Sequence, residues 1–139
     1  MSAIVIYESL TGNTRRAAAS IAGELVAGGM EVDAVCPVTA IDFGALARAD
    51  LVVFGTWVDG LILFGQRPGG RVRQVPAMAG KRAAAFCTYA VDPGHTLAKM
   101  DLLLADRGAE PLGGFAINRR KLVDGSKEFV DRLLGVVQP

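Results

Sequence analysis

The chain has 139 residues, about half of them apolar (51%), with 15 Lys or Arg against 14 Asp or Glu and a formal charge of +1. That is enough chain for one domain with a real core. No apolar run approaches the roughly 18 uninterrupted residues of a membrane span, and so balanced a charge points neither to a polyanion ligand nor to an acidic tail. The N-terminus enters a strand-like run without the basic start, apolar stretch and small-residue cleavage site of an export signal. Cys36 and Cys87 lie in separate strand-like runs with no metal-ligand spacing around either. The expectation is a single domain over residues 1–139, cytoplasmic, with two packed and reduced thiols.

In chain order, apolar runs of strand length alternate with runs of helical period. Ala3–Tyr7 reads as the first strand. Asn13–Ala27 follows as a helix, with Ala18, Ile21, Ala22 and Leu25 recurring on one face. Val32–Cys36 and Leu51–Gly55 read as the second and third strands, and the helix between them is expected to be short or irregular. Ala83–Thr88 is the fourth strand, and a helix over 95–107 carries Leu97, Met100, Leu103 and Leu104, with Gly108 as its C-terminal stop. A fifth strand ends near Asn118, and a last helix runs from Asp124, placed as its cap, to Val137, with Val130, Leu133 and Leu134 facing inward. Several strands are apolar on both faces, which predicts helices on both sides of the sheet. Five strands and about five helices make one α/β domain, a doubly wound, five-stranded parallel sheet with helices on both faces. Ligands of such sheets bind at the carboxyl ends of the strands where the order reverses, so the loops after strands one, three and four should line the site.

The first of these is Ser9-Leu10-Thr11-Gly12-Asn13-Thr14, a hydroxyl-rich turn aimed at a helix N-terminus. A helix start offers unpaired N–H groups and the positive end of a dipole, so three hydroxyls and a glycine there can hold a phosphate monoester without lysine. An ordinary capped turn would also use these residues, but the place after strand one favours the phosphate. The turn lacks the second glycine and Lys-Ser/Thr pair of a nucleotide-triphosphate loop, and it is not a three-glycine dinucleotide fingerprint. Arg15 and Arg16 stand in the first helical turn, where cations oppose the dipole; a bound dianion would offset that cost.

The second loop, Gly55-Thr56-Trp57-Val58-Asp59-Gly60, carries the only tryptophan. Trp57 at a strand's carboxyl end is a flat aromatic surface on which a ring could stack, or a packing residue under the loop. The third loop runs from Thr88 and Tyr89 through Asp92 to His95 and Thr96. Tyr89 and His95 are its candidate ring contacts. His95, the only histidine, has no Cys, His or carboxylate cluster to make a metal site, and reads more readily as a solvated residue near a helix start. No nucleophile-and-base pair or carboxylate spacing marks a catalytic residue.

Over nearly its whole length the sequence resembles the short-chain flavodoxins. The resemblance is carried by Ala3–Thr14 (AIVIYESLTGNT), by Glu31-Val32-Asp33, by Ala49–Trp57 (ADLVVFGTW), by Gly80–Cys87 and by Leu103–Glu110. It implies the strand order 2-1-3-4-5 and FMN as cofactor, with phosphate binding at Ser9, Thr11, Gly12, Asn13 and Thr14, ring stacking at Trp57, and backbone contacts from Val58, Asp59 and the third loop. It also implies one-electron transfer between redox proteins.

Three features depart from that pattern. Val58 stands where many flavodoxins have a glycine whose peptide turns over on reduction, and a β-branched residue resists positive φ by about 1 kcal/mol or more. Tyr89 lies earlier than the family's usual ring-facing tyrosine. Between Asp59 and Asp92 there is no acid, while Arg67, Arg71, Arg73, Lys81 and Arg82 are present; a basic segment beside the site favours an anionic partner surface or substrate. The apolar run Leu61-Ile62-Leu63-Phe64 reads as a helix interior, a dimer contact or a docking surface. Two function classes follow: an FMN electron carrier with an unknown reductase and acceptor, or an FMN-dependent oxidoreductase acting on a quinone or porphyrin precursor. Neither calls for nucleic acid or a membrane span.

Overall fold

The structure, a computed structural model, describes residues 1–9, 12–58 and 74–138. Five strands, β1 (Ser2–Tyr7), β2 (Glu31–Pro37), β3 (Leu51–Trp57), β4 (Arg82–Tyr89) and β5 (Glu110–Asn118), form one parallel sheet in the order β2-β1-β3-β4-β5. The described helices are α1 (Asn13–Ala27), α2 (Phe43–Arg48), α3 (Thr96–Asp106) and α4 (Leu122–Val137). This is the expected doubly wound fold. A further helix between β3 and β4 would fall on residues 59–73, outside the described residues.

Alternation along each strand sorts the core into two layers. Ala3, Val5, Leu51, Val53, Ala84, Phe86 and Ile117 face α1 and α4. Ile4, Ile6, Val52, Phe54, Ala83, Ala85 and Cys87 face α2 and α3. The three central strands are buried on both faces, as expected, while β2 and β5, at the sheet edges, are only half-buried along much of their length. Edge strands have a neighbour on one side only, so their continuous apolar character gives way to Glu31, Asp33 and Glu110.

Element ends differ from the sequence reading where local hydrogen bonds intervene. Asp124 does not cap the last helix: Lys121 holds the cap position and Asp124 lies in the first turn. The cause is the tight turn out of β5, in which the Asn118 carbonyl accepts from Lys121 N–H (2.9 Å) and its side-chain oxygen accepts from Arg120 N–H (2.9 Å), so the helix starts at Leu122. Gly108 does follow α3 in left-handed geometry, at φ 88°.

Backbone hydrogen bonds tie the carboxyl ends of the strands together. Val38 N–H reaches Tyr7 C=O and Glu8 N–H reaches Gly55 C=O, each at 2.8 Å. Val58 N–H reaches Thr88 C=O at 3.0 Å and Arg119 N–H reaches Tyr89 C=O at 2.9 Å. The candidate loops therefore spring from one stitched edge.

Candidate cofactor site

At the start of α1 the cap is Gly12 itself, neither Asn13 nor Thr14. Its φ of 93° lies in the left-handed region that disfavours side chains, and a Cβ there would meet nothing within 4 Å. The helix has no side-chain cap hydrogen bond and no acid in its first turn. Ser9 Oγ sits in the concavity, accepting from Gly12 N–H (3.1 Å) and Arg15 N–H (3.4 Å). A hydroxyl occupying the focus of helix-start N–H groups marks where an anionic oxygen would be held. Thr14 is buried, and its hydroxyl shares a 2.9 Å hydrogen bond with the Thr88 hydroxyl at the end of β4. Asn13 Oδ1 accepts from the Arg16 guanidinium. Leu10 and Thr11 lie outside the described residues. The donors, the open glycine and the acid-free first turn fit a phosphate monoester.

The second expected loop is part strand. Gly55, Thr56 and Trp57 close β3, because Thr56 pairs with Cys87 and Trp57 with Thr88 in register. Gly55 makes room for a neighbour: a Cβ there would lie 2.0 Å from Phe86 Cζ. Thr56 is fully buried and its hydroxyl donates to Glu8 Oε1 at 2.8 Å, so it serves the strand ends and does not face outward. Trp57 is half-buried at the carboxyl tip, followed by Val58, whose N–H is held by Thr88. Asp59 and Gly60, together with Arg67, Arg71, Arg73 and the apolar run 61–64, lie outside the described residues.

Thr88 and Tyr89 complete β4. Beyond them Asp92 Oδ1 accepts from Gly94 N–H (2.8 Å), an Asx turn that lets the chain reverse into α3. His95 is exposed at the cap position of α3 and its side chain makes no cap hydrogen bond. The fold thus brings Ser9, Gly12, Asn13, Thr14, Trp57, Val58, Thr88 and Tyr89 to neighbouring strand ends, with Asp92 and His95 on the adjoining loop. Burial pushes the Cys87 thiol up to about 12 and raises Cys36 as well, so neither is a nucleophile at neutral pH. Among the described residues no group of three His, Cys, Asp or Glu could hold a metal ion.

Glu8 was not singled out in the sequence. It is 2% exposed, directly before the cradle, and bonded to Thr56. The signal was its place in the alternation Ile4, Ile6, Glu8, which puts a carboxylate on an otherwise apolar face.

Solved structures share this architecture. A flavodoxin from Streptococcus pneumoniae TIGR4 superposes with a TM-score of 0.72 at 18% identity, over 98% of this chain and 99% of that one. Flavodoxin 2 from Bacillus cereus does so with a TM-score of 0.67 at 21% identity, over 95% of this chain and 99% of its own. The rubredoxin oxygen:oxidoreductase of Desulfovibrio gigas carries a similar unit, TM-score 0.68 at 14% identity, over 99% of this chain but 37% of that protein. A search of the curated proteins finds no match to the sequence. The family model described as flavodoxin domain matches residues 4–116, from β1 through most of β5, and the chain belongs to that family.

Proposed function

We propose that this protein binds FMN and carries electrons between redox proteins. Flavodoxin domains are FMN-binding, electron-transferring flavoproteins, and the observation that carries the reading here is the open, acid-free start of α1 with Gly12 as its left-handed cap. FMN, when bound, supplies the one- and two-electron chemistry. The N–H groups at the start of α1 and the Ser9 hydroxyl bind the phosphate, with Thr11 as a further donor from the sequence. The Thr14–Thr88 hydrogen bond fixes the cradle against the end of β4, where Trp57, Val58 and Tyr89 stand. Trp57 would exclude water from one ring face, and the loop from Tyr89 through Asp92 to His95 would frame the polar edge, with Asp59 and Gly60 as further contacts from the sequence alone. The reading places the protein in the cytoplasm, consistent with two buried, unbridged thiols. No described helix is long and apolar enough to cross a membrane.

The test is an FMN titration of the purified protein. With one tryptophan in the chain, quenching of both flavin and Trp57 fluorescence is expected at one equivalent. A protein that leaves both emissions unchanged would refute the cofactor and the carrier role together.

The second reading, an FMN-dependent oxidoreductase acting on an anionic quinone or porphyrin precursor, draws on Arg67, Arg71 and Arg73, which follow β3 in the sequence. It requires saturable turnover of the small molecule, which a carrier lacks.

A further inference from the structure

The turn from β5 into α4 puts three consecutive cations, Arg119, Arg120 and Lys121, on the same edge as the cofactor site, all exposed. Arg119 N–H is bonded to Tyr89 C=O, which joins this turn to the loop after β4. Arg15 and Arg16 are exposed in the first turn of α1. Helices α1 and α4 pack side by side through Ala17, Ala18, Ile21, Phe129, Val130 and Leu133. Both helices start from the carboxyl ends of parallel strands and pack on the same face of the sheet, about 8–10 Å apart, so their two N-termini and these five cations belong to the same end of that layer. The five make no ion pair among the described residues. The described acids on this edge are Glu8, buried on Thr56, Asp42, which caps α2 after β2, Asp92, bonded to Gly94, and Asp124.

Stability does not account for this arrangement. Cations at a helix start oppose the dipole, and here two adjacent helices begin among them. A cofactor phosphate at α1 would answer Arg15 and Arg16 but would leave the β5–α4 turn unanswered. Two apolar side chains stand among the charges: Val91, 91% exposed in the loop after β4, and Val123, 68% exposed in the first turn of α4. Cations around exposed apolar contacts suit a protein surface with acids around an apolar centre.

We propose that Arg119, Arg120 and Lys121, with Arg15, Arg16, Val91 and Val123, form a docking surface for the acidic face of a partner redox protein. This rests on the carrier reading and names the chemistry of its partner. With FMN held in the cradle, a partner docked here would give up one electron from its reduced centre and be oxidised, the flavin being the one-electron acceptor.

The experiment uses the full chain, with and without FMN, and an acidic [2Fe–2S] ferredoxin as probe. Amide chemical shifts should move at 119–123, 15–16 and 91, and raising salt from about 10 mM to about 300 mM should weaken binding about tenfold or more, as the Debye length shrinks. Arg119→Glu with Arg120→Glu and Lys121→Glu should weaken binding at least tenfold while FMN affinity stays the same. Arg119→Lys with Arg120→Lys should retain it. With FMN bound, reduction by the reduced ferredoxin should slow with salt to the same degree. Shifts elsewhere, salt-independent binding or an unaffected triple variant would overturn the proposal. Preference for a basic cytochrome c, or for phosphatidylserine vesicles or a DNA duplex over the ferredoxin, would overturn it too. Because ferredoxin binding is read without FMN as well, failure of the cofactor reading shows separately in the FMN titration.

Discussion

The hydrogen bond from Thr56 to Glu8 gives a sharp test of how the cradle is held. Glu8 is 2% exposed and Thr56 is fully buried, with Oγ1 2.8 Å from the carboxylate. Thr56→Val keeps the β-branched shape and removes that donor. Taking one partner from a buried hydrogen bond costs about 1–3 kcal/mol, so the substitution should destabilise the protein by about 2 kcal/mol. For a domain of this size that corresponds to a fall in Tm on the order of 6–10 °C. The effect should reach the site as well, because Glu8 N–H also anchors Gly55 C=O at 2.8 Å; loosening the β1 and β3 ends loosens the turn that begins at Ser9. Urea unfolding of the apoprotein, read as a midpoint shift at constant slope, measures the stability, and FMN titration measures the site. Thr56→Ser, which keeps the hydroxyl, should lose much less of both. A cost below about 0.5 kcal/mol in the wild-type background, or equal losses for valine and serine, would refute the argument.

Four further outcomes are expected. Gly55→Ala places a methyl 2.0 Å from Phe86 Cζ and 2.3–2.4 Å from its neighbouring ring atoms, an overpacking that should cost about 3 kcal/mol; calorimetry should show it, with partial recovery when Phe86→Leu is added. Gly12→Ala must hold a side chain at φ 93°, costing about 1–2 kcal/mol and lowering FMN affinity by a comparable factor. Val58→Gly should ease peptide rotation after β3 by about 1 kcal/mol, raising the potential for uptake of the first electron by about 40 mV at 59 mV per tenfold, read by redox titration. Burial raises the Asp101 carboxyl above its usual 3.8, and its Oδ1 is buried without a hydrogen-bond partner among the described residues. The folded state therefore binds the proton more tightly than the unfolded chain, and this group's contribution to stability falls as pH rises from about 4 through the raised value. Asp101→Asn should remove that slope and stabilise the protein at pH 7; unfolding midpoints from pH 4 to 8 that run parallel in the two proteins would contradict it.

The fold was legible because its signals are local and repeated. The α1 span, Asn13–Ala27, follows from the period of Ala18, Ile21, Ala22 and Leu25, and the parallel, doubly covered sheet follows from strands apolar on both faces joined by helical crossovers, while its strand order is what the family resemblance implies. Boundaries were less legible where pairing extends a strand past its apolar run. Thr56 and Trp57 look like loop residues by composition, yet belong to β3 because Cys87 and Thr88 offer ladder partners. The start of α4 was misplaced because Asn118, six residues before the expected acid cap, folds the backbone into the helix with its own carbonyl and side chain.

The candidate site divides along the same line. Backbone-dependent features could be read: a glycine before a helix with hydroxyls around it has few other uses at that point of a doubly wound fold. Side-chain partnerships could not, because they join residues far apart in sequence. Thr14 reads as a phosphate donor, but its hydroxyl meets Thr88, 74 positions away, and Thr56 reads as a loop hydroxyl but meets Glu8, 48 positions away. Both pairs have the same effect. Each uses a hydroxyl near the cradle to tie distant segments, the start of α1 to the end of β4 and the end of β3 to Glu8 beyond β1, so the geometry of the turn depends on β3 and β4 as much as on its own six residues. A substitution at Thr88 should therefore disturb the cradle without lying in it: Thr88→Val removes the partner of the buried Thr14 hydroxyl, costing about 1–3 kcal/mol, and should weaken FMN more than Thr88→Ser does. If the two variants bind FMN alike, the cradle is rigid by its backbone alone, and the stitching of the strand ends serves stability only.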